Sequence, residues 1–167
     1  MQGSFGELLG EELSPEAEAK LRELLKRKIK GACSALVRVL RALEERYGPA
    51  VKDVAHDALM KCAPRPTSEL GRPEEDLHGF CDALERGCVG SHRWERVVDQ
   101  PDRVAYNFTS CLWAEIFNEL DAADIGWWWC EGDEPAVRAY NPQLGFERTK
   151  TLMQGHDECD HVFLVEE

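Results

Sequence analysis

The chain has 167 residues, 43% of them hydrophobic, and a formal net charge of −12. That length suits one domain burying roughly two thirds of its unfolded surface, and the composition argues against wholesale disorder. The acidity excludes a nucleic-acid surface, which needs a clustered basic face, and no apolar run approaches the ~20 residues that span a bilayer.

Residues 1–13 read as a flexible acidic leader, ordered only if they pack on something else. Residues 14–167 read as a single domain, helical over 14–90, with the sheet and any site in 91–167. Ser14-Pro15 is a helix start, Ser as the N-cap and Pro at the first helical position. Leu21, Leu24, Leu25, Ile29, Ala32, Leu36, Val39, Leu40 and Leu43 then mark an apolar face until Gly48-Pro49 stops the helix. The basic run Lys26 to Lys30 falls inside this pattern, where charges face water. A second helix is expected from Pro49 to about Cys62, with Val51, Val54, Ala55, Ala58 and Leu59 as its face, followed by a linker over Ala63 to Ser68. Pro73 starts a third, with Leu77, Phe80, Cys81 and Leu84 inward and Gly87 as its cap.

The periodicity then changes to two. Trp94 to Val98 and Arg103 to Phe108 flank the turn residues Asp99 to Asp102, which predicts an antiparallel hairpin. Thr109 or Ser110 can cap a fourth helix carrying Leu112, Ile116, Phe117 and Leu120. A helical stretch runs from Asp124 through Cys130 and loosely on to Tyr140, ending at Asn141-Pro142. Phe146 to Met153 and Cys159 to Val165 read as two more strands joined by Gln154 to Asp157, with His156 a loop residue. Helices first and strands later give an α+β fold, N-terminal helices packed on a small antiparallel sheet of about four strands.

The seven cysteines are odd in number and scattered, which is no disulfide framework and fits a reducing cytoplasm. The N-terminus has no charged-then-apolar targeting pattern. Cys33, Cys62, Cys81 and Cys88 read as core or incidental residues, and His56 and His78 as surface or hydrogen-bonded ones.

The last third concentrates the rare residues. Ser110 to Val165 holds three of the seven cysteines, two of the five histidines and four of the five tryptophans. Cys111 and Trp113 open a helix, and Cys130 and Asp133 stand three apart. Asn141-Pro142 precedes a strand, Glu147-Arg-Thr-Lys-Thr-Leu-Met-Gln-Gly155, and Asp157-Glu-Cys-Asp160 follows. In this linked set the chain resembles the L-2-amino-thiazoline-4-carboxylic acid hydrolases. The resemblance implies hydrolytic opening of a thiazoline, water attacking the amidine-like carbon between ring sulfur and nitrogen. The product class is an N-carbamoyl cysteine. It implies nothing for the consecutive Trp127, Trp128 and Trp129. These cannot all face one way on a helix, so at least one is exposed, lines a pocket or meets another subunit, which leaves a homo-oligomer open.

That chemistry needs a nucleophile, a proton shuttle and stabilisation of charge on the ring. Helical spacing puts Cys130 with Asp133 and Cys111 with Glu115, while strand alternation puts Cys159 and His161 on one face and Asp160 on the other. A thiolate of Cys111, Cys130 or Cys159, activated by His or a helix N-terminus, can attack the ring carbon, with Asp133 or Glu115 as base. Arg148 or Lys150 can hold a substrate carboxylate. Trp113, Asn141, Thr149 and Thr151 complete the expected substrate contacts. The pocket is expected between the helix at 111–120 and the strand at 146–153. No cofactor is required, although Cys130, Cys159 and His161 have the chemistry for zinc. A purely structural use of the three cysteines stays open, as does a non-enzymatic small-molecule-binding or metal- and thiol-sensing domain of vinyl-4-reductase-like layout.

Overall fold

The computed structural model describes residues 2–61 and 76–166. Cys62, the Ala63–Ser68 linker and the Pro73 start lie outside them. The elements are α1 (Phe5–Leu9), α2 (Pro15–Tyr47), α3 (Ala50–Lys61), α4 (Leu77–Cys88), β1 (His92–Gln100), β2 (Arg103–Cys111), α5 (Leu112–Glu119), α6 (Ala123–Glu131), α7 (Asp133–Tyr140), β3 (Leu144–Glu147), a 3-10 turn (Leu152–Gln154) and β4 (Cys159–Val165). The four strands form one antiparallel sheet in the order β1-β2-β4-β3, so the fold is α+β. No helix among the described residues is long and apolar enough to cross a membrane.

The helix starts follow their local chemistry. The Ser14 hydroxyl accepts the Ala17 amide at the head of α2, and the Asp76 carboxylate accepts the Gly79 amide at the head of α4. Gly87 lies inside α4, which runs on to Cys88, so it is not the cap the sequence suggests. On α2 only one stripe is covered: Cys33, Val37 and Leu40 are buried, whereas Leu24, Val39 and Leu43 face solvent. The nine apolar positions span a wider arc than the packing elements cover. Residues 2–13 are tied to the domain. The amides of Phe5 and Gly6 donate to Glu18, and the Gly3 carbonyl accepts from Gly90 and Arg93.

Two apolar cores result. One lies between α4, α7 and the sheet, built on Leu77, Cys81, Tyr106, Phe108, Val137, Leu144, Cys159 and Phe163. The other lies between α2, α5 and α6, built on Val37, Leu40, Ile116, Phe117, Ile125 and Met153. Leu152 packs against both, so the segment after β3 runs along their seam. Gly126 allows that closeness: a Cβ there would stand 2.6 Å from the Met153 sulfur and 2.7 Å from Phe117.

Two expectations are corrected here. β2 runs through Ser110 to Cys111, so Cys111, not Thr109 or Ser110, is the N-cap of α5. The strand expected over Phe146–Met153 stops at Glu147. The Asp160 carboxylate accepts the amides of Thr149 (2.8 Å) and Lys150 (2.6 Å), and the Thr151 hydroxyl accepts those of Met153 and Gln154. Side chain–backbone bonds have replaced the ladder.

Candidate active site

The break after β3 sets the site. With Thr149 and Lys150 pinned by Asp160, the Arg148 side chain turns into the seam, where only 9% of it is exposed. Its Nη1 donates to Asp133 Oδ2 at 2.5 Å and its Nη2 to the Cys130 carbonyl at 3.0 Å. The guanidinium lies 5.3 Å from the Trp127 ring centroid and 5.4 Å from that of Phe146. Asp133 is the first residue of α7 and Cys130 belongs to the last turn of α6, so the helix break at Gly132 sets the Cys130 carbonyl and the Asp133 carboxylate on the guanidinium, with the Cys130 thiol within electrostatic reach of both.

A cleft of about 450 Å³ opens beside this group, lined by Trp127, Cys130, Glu131, Glu134, Phe146, Arg148, Thr149 and Thr151 among others, and Asp133 adjoins it through its bond from Arg148. Behind it the thiols of Cys88, Cys111 and Cys159 lie within electrostatic reach of Asp133. The Leu152 amide donates to Cys159 Sγ at 3.2 Å. Phe146, which borders the cleft, meets the His161 ring edge-on at 5.1 Å.

Burial governs the ionisation of the group. Desolvation raises the Asp133 carboxyl to about 6, against the opposing pull of Arg148. Desolvation pushes the Cys130 thiol up to about 12, with the Asp133 charge adding to it and Arg148 opposing. Cys111 also rises to about 12 by burial, although the Ala114 and Trp113 amides at the start of α5 favour its thiolate. Cys159 is raised by burial against its bond from Leu152. The resting thiols are therefore protonated at neutral pH, and Asp133 has the carboxyl whose pKa burial moves toward neutrality.

A family model described as L-2-amino-thiazoline-4-carboxylic acid hydrolase matches residues 26–163. The chain belongs to that family. No curated protein matches the sequence. The match reaches far upstream of the C-terminal motifs, into α2, so the helical half belongs to the family unit as much as the sheet does.

Of the expected site residues of this family member, Cys111, Cys130, Cys159, Asp133 and Arg148 share the seam. Glu115 does not join them. It receives both ends of the Arg22 guanidinium (2.5 and 3.2 Å) and pairs with Lys26. Burial alone would raise its carboxyl, but those two cations hold it below the usual range. Lys150 turns its ammonium to Glu158 at 3.0 Å and is not among the residues that line the cleft. Thr149 bonds Asp160 and Thr151 caps the 3-10 turn, so both shape the loop first. Asn141 ends α7, its side-chain oxygen accepting the Gln143 amide. Trp113 stacks on Trp129 at 5.8 Å in the helical core.

The cleft has the expected 146–153 segment as one wall, but the other is α6 with the start of α7, not the helix at 111–120. α5 does not line the cleft, and Cys111 joins the seam from the end of β2, as the N-cap of α5. Among the described residues no three His, Cys, Asp or Glu side chains group closely enough to hold a metal ion, so Cys130, Cys159 and His161 form no such set. His161 sits among Phe108, Phe146 and Phe163, where desolvation lowers its pKa to about 3 and its buried Nδ1 has no hydrogen-bond partner. Cys88 and Phe146 had no signal as site residues in the sequence. Each reads as plain core there, and only the packing of α4 and β3 beside the seam gives them neighbours with chemistry. His56 and His78 hydrogen-bond Glu131 and Asp99, each at 2.9 Å.

Proposed function

We propose that this protein hydrolyses a small cyclic thiazoline-type amidine carboxylate, opening the ring between carbon and sulfur to a ureido thiol of the N-carbamoyl cysteine class. The reading is supported by a cleft lined by Cys130 and Arg148, with Asp133 bonded to that Arg148 and its carboxyl raised to about 6. Cys130 Sγ adds to the ring carbon as its proton passes to Asp133, so no free thiolate precedes the attack. The ring carbon–sulfur bond then breaks, and the leaving sulfur takes the proton back from Asp133. Water next adds to the same carbon while Asp133 accepts its proton. The bond to Cys130 breaks, the proton returns to Cys130, and a urea carbonyl remains. Arg148 keeps Asp133 oriented throughout and offers its cleft edge to the substrate carboxylate.

A second route is favoured by one observation, the Cys130 thiol at about 12. In it Asp133 directs water onto the ring carbon without a covalent stage, and Cys130 only lines the cleft. The test is mass spectrometry of the purified protein with 2-amino-thiazoline-4-carboxylate. N-carbamoyl cysteine should form, a Cys130 adduct should be trapped on quenching, and Cys130→Ser should lower turnover by roughly 10²-fold or more. Cys33→Ser, in the helical core, should change it little. Full activity in Cys130→Ser with loss in Asp133→Asn replaces the covalent route by the second. Absence of product removes the reading.

A further inference from the structure

The three consecutive tryptophans point three ways, as the helical step of about 100° requires. Trp128 is 9% exposed and meets the His56 ring at 5.6 Å. Trp129 packs on Trp113 and, at 5.1 Å, on Phe117. Trp127 alone of the three borders the cleft, and it faces Arg148.

Arg148 needs such a neighbour. Its charge is almost out of water, and its hydrogen bonds to Asp133 and the Cys130 carbonyl hold one edge only. A guanidinium held by one edge can still swing about its own axis, and the flat faces decide whether it does. Phe146 covers it on the β3 side and Trp127 on the α6 side. Trp127 is also shared with a neighbouring polar groove that holds Lys52, Asp124 and Glu131. The indole thus covers the guanidinium where the cleft adjoins that groove, and Glu131 lines both. Indole binds a cation over its face better than phenyl or phenol does, and the attraction grows as water is excluded.

We propose that Trp127 is a positioning residue of the catalytic cleft, fixing the Arg148 guanidinium on Asp133 through its ring face. This rests on the reading of the Cys130–Asp133–Arg148 cleft as the active site. It also assigns the first tryptophan of the triplet to the chemistry and leaves the other two to packing.

Two measurements test it on the full chain. The first needs no substrate. In ¹⁵N-arginine spectra, with the Arg148 signals identified by their loss in Arg148→Lys, the guanidinium should show arrested rotation and a ring-current displacement. Trp127→Phe should keep both, and Trp127→Leu should average the signals and remove the displacement. The second is a double-mutant cycle on thiazoline hydrolysis. Trp127→Leu should lower kcat/KM about tenfold beside Arg148 and cost nothing more beside Arg148→Met. Unchanged Arg148 signals in Trp127→Leu overturn the proposal, as does an equal loss in both backgrounds, which would mean direct contact of the ring with substrate. Where the parent protein opens no thiazoline, the spectra alone decide, and the failure belongs to the proposed reaction rather than to the clamp.

Discussion

Replacing Asp133 by Asn isolates the proton shuttle from the shape of the site. The amide is nearly isosteric and its oxygen can still accept from Arg148 Nη1, so the cleft should keep its geometry. What is lost is a carboxyl pushed up to about 6, where desolvation outweighs the attraction of Arg148 although 38% of the side chain stays exposed. In the parent protein kcat/KM should rise through pH 6 and level off above pH 7. It should fall to about a tenth of the plateau at pH 5 and about a hundredth at pH 4, following the ionised fraction of a base at about 6. The Asn variant should lie roughly 10²–10⁴-fold below the plateau and show no limb at pH 6. The same shift has a stability side. A carboxyl whose folded pKa lies above its unfolded value of about 3.9 binds more protons when folded between those two values, so its contribution to stability declines as pH rises through that window. Urea unfolding of the Asn variant should therefore gain on the parent from about pH 4 to pH 6 and hold that gain above. A parent profile flat from pH 7 to pH 5, or an unchanged limb in the variant, would refute Asp133 as the titrating base.

Glu115→Gln should separate ion pairing from catalysis. It removes the paired charge for Arg22 and Lys26 and should cost about 1 kcal/mol in chemical denaturation while activity stays within about threefold; a hundredfold loss of turnover would return Glu115 to the site. His161→Phe should stabilise the protein by roughly 1 kcal/mol near neutrality, because a buried Nδ1 without a partner is exchanged for a ring that suits Phe108, Phe146 and Phe163. The gain should grow as pH falls from about 6.5. A histidine whose folded pKa is depressed to about 3 leaves the unfolded chain to take up the proton first, so stability drains with acid in the parent and less in the variant. Equal pH dependence of the two melting curves would exclude His161 as the source.

Much of the chain was legible from local signals. Ser14-Pro15, the Gly48 stop and the β1–β2 hairpin depend on neighbours within a few positions, and the structure follows them, the expected Asp99–Asp102 turn tightening to Pro101-Asp102. The linked motifs from Cys111 to Asp160 were enough for the family resemblance, because motif spacing survives in the order of residues. What failed did so where a partner far along the chain won. Phe146–Met153 has strand periodicity, yet Asp160 draws the backbone of Thr149 and Lys150 out of the ladder, and no window around residue 149 contains that carboxylate. Glu115 sits one helical turn from Cys111 and looked like its base, but Arg22, 93 positions earlier, claims it. Sequence by itself determined most of the helices and the β1–β2 hairpin, and which residues carry reactive groups. Tertiary structure alone decided which of those groups meet in low dielectric, and so that Asp133 is raised, Cys130 faces the cleft and Arg148 joins the two, since burial and charge pairing are properties of surroundings that local sequence does not contain.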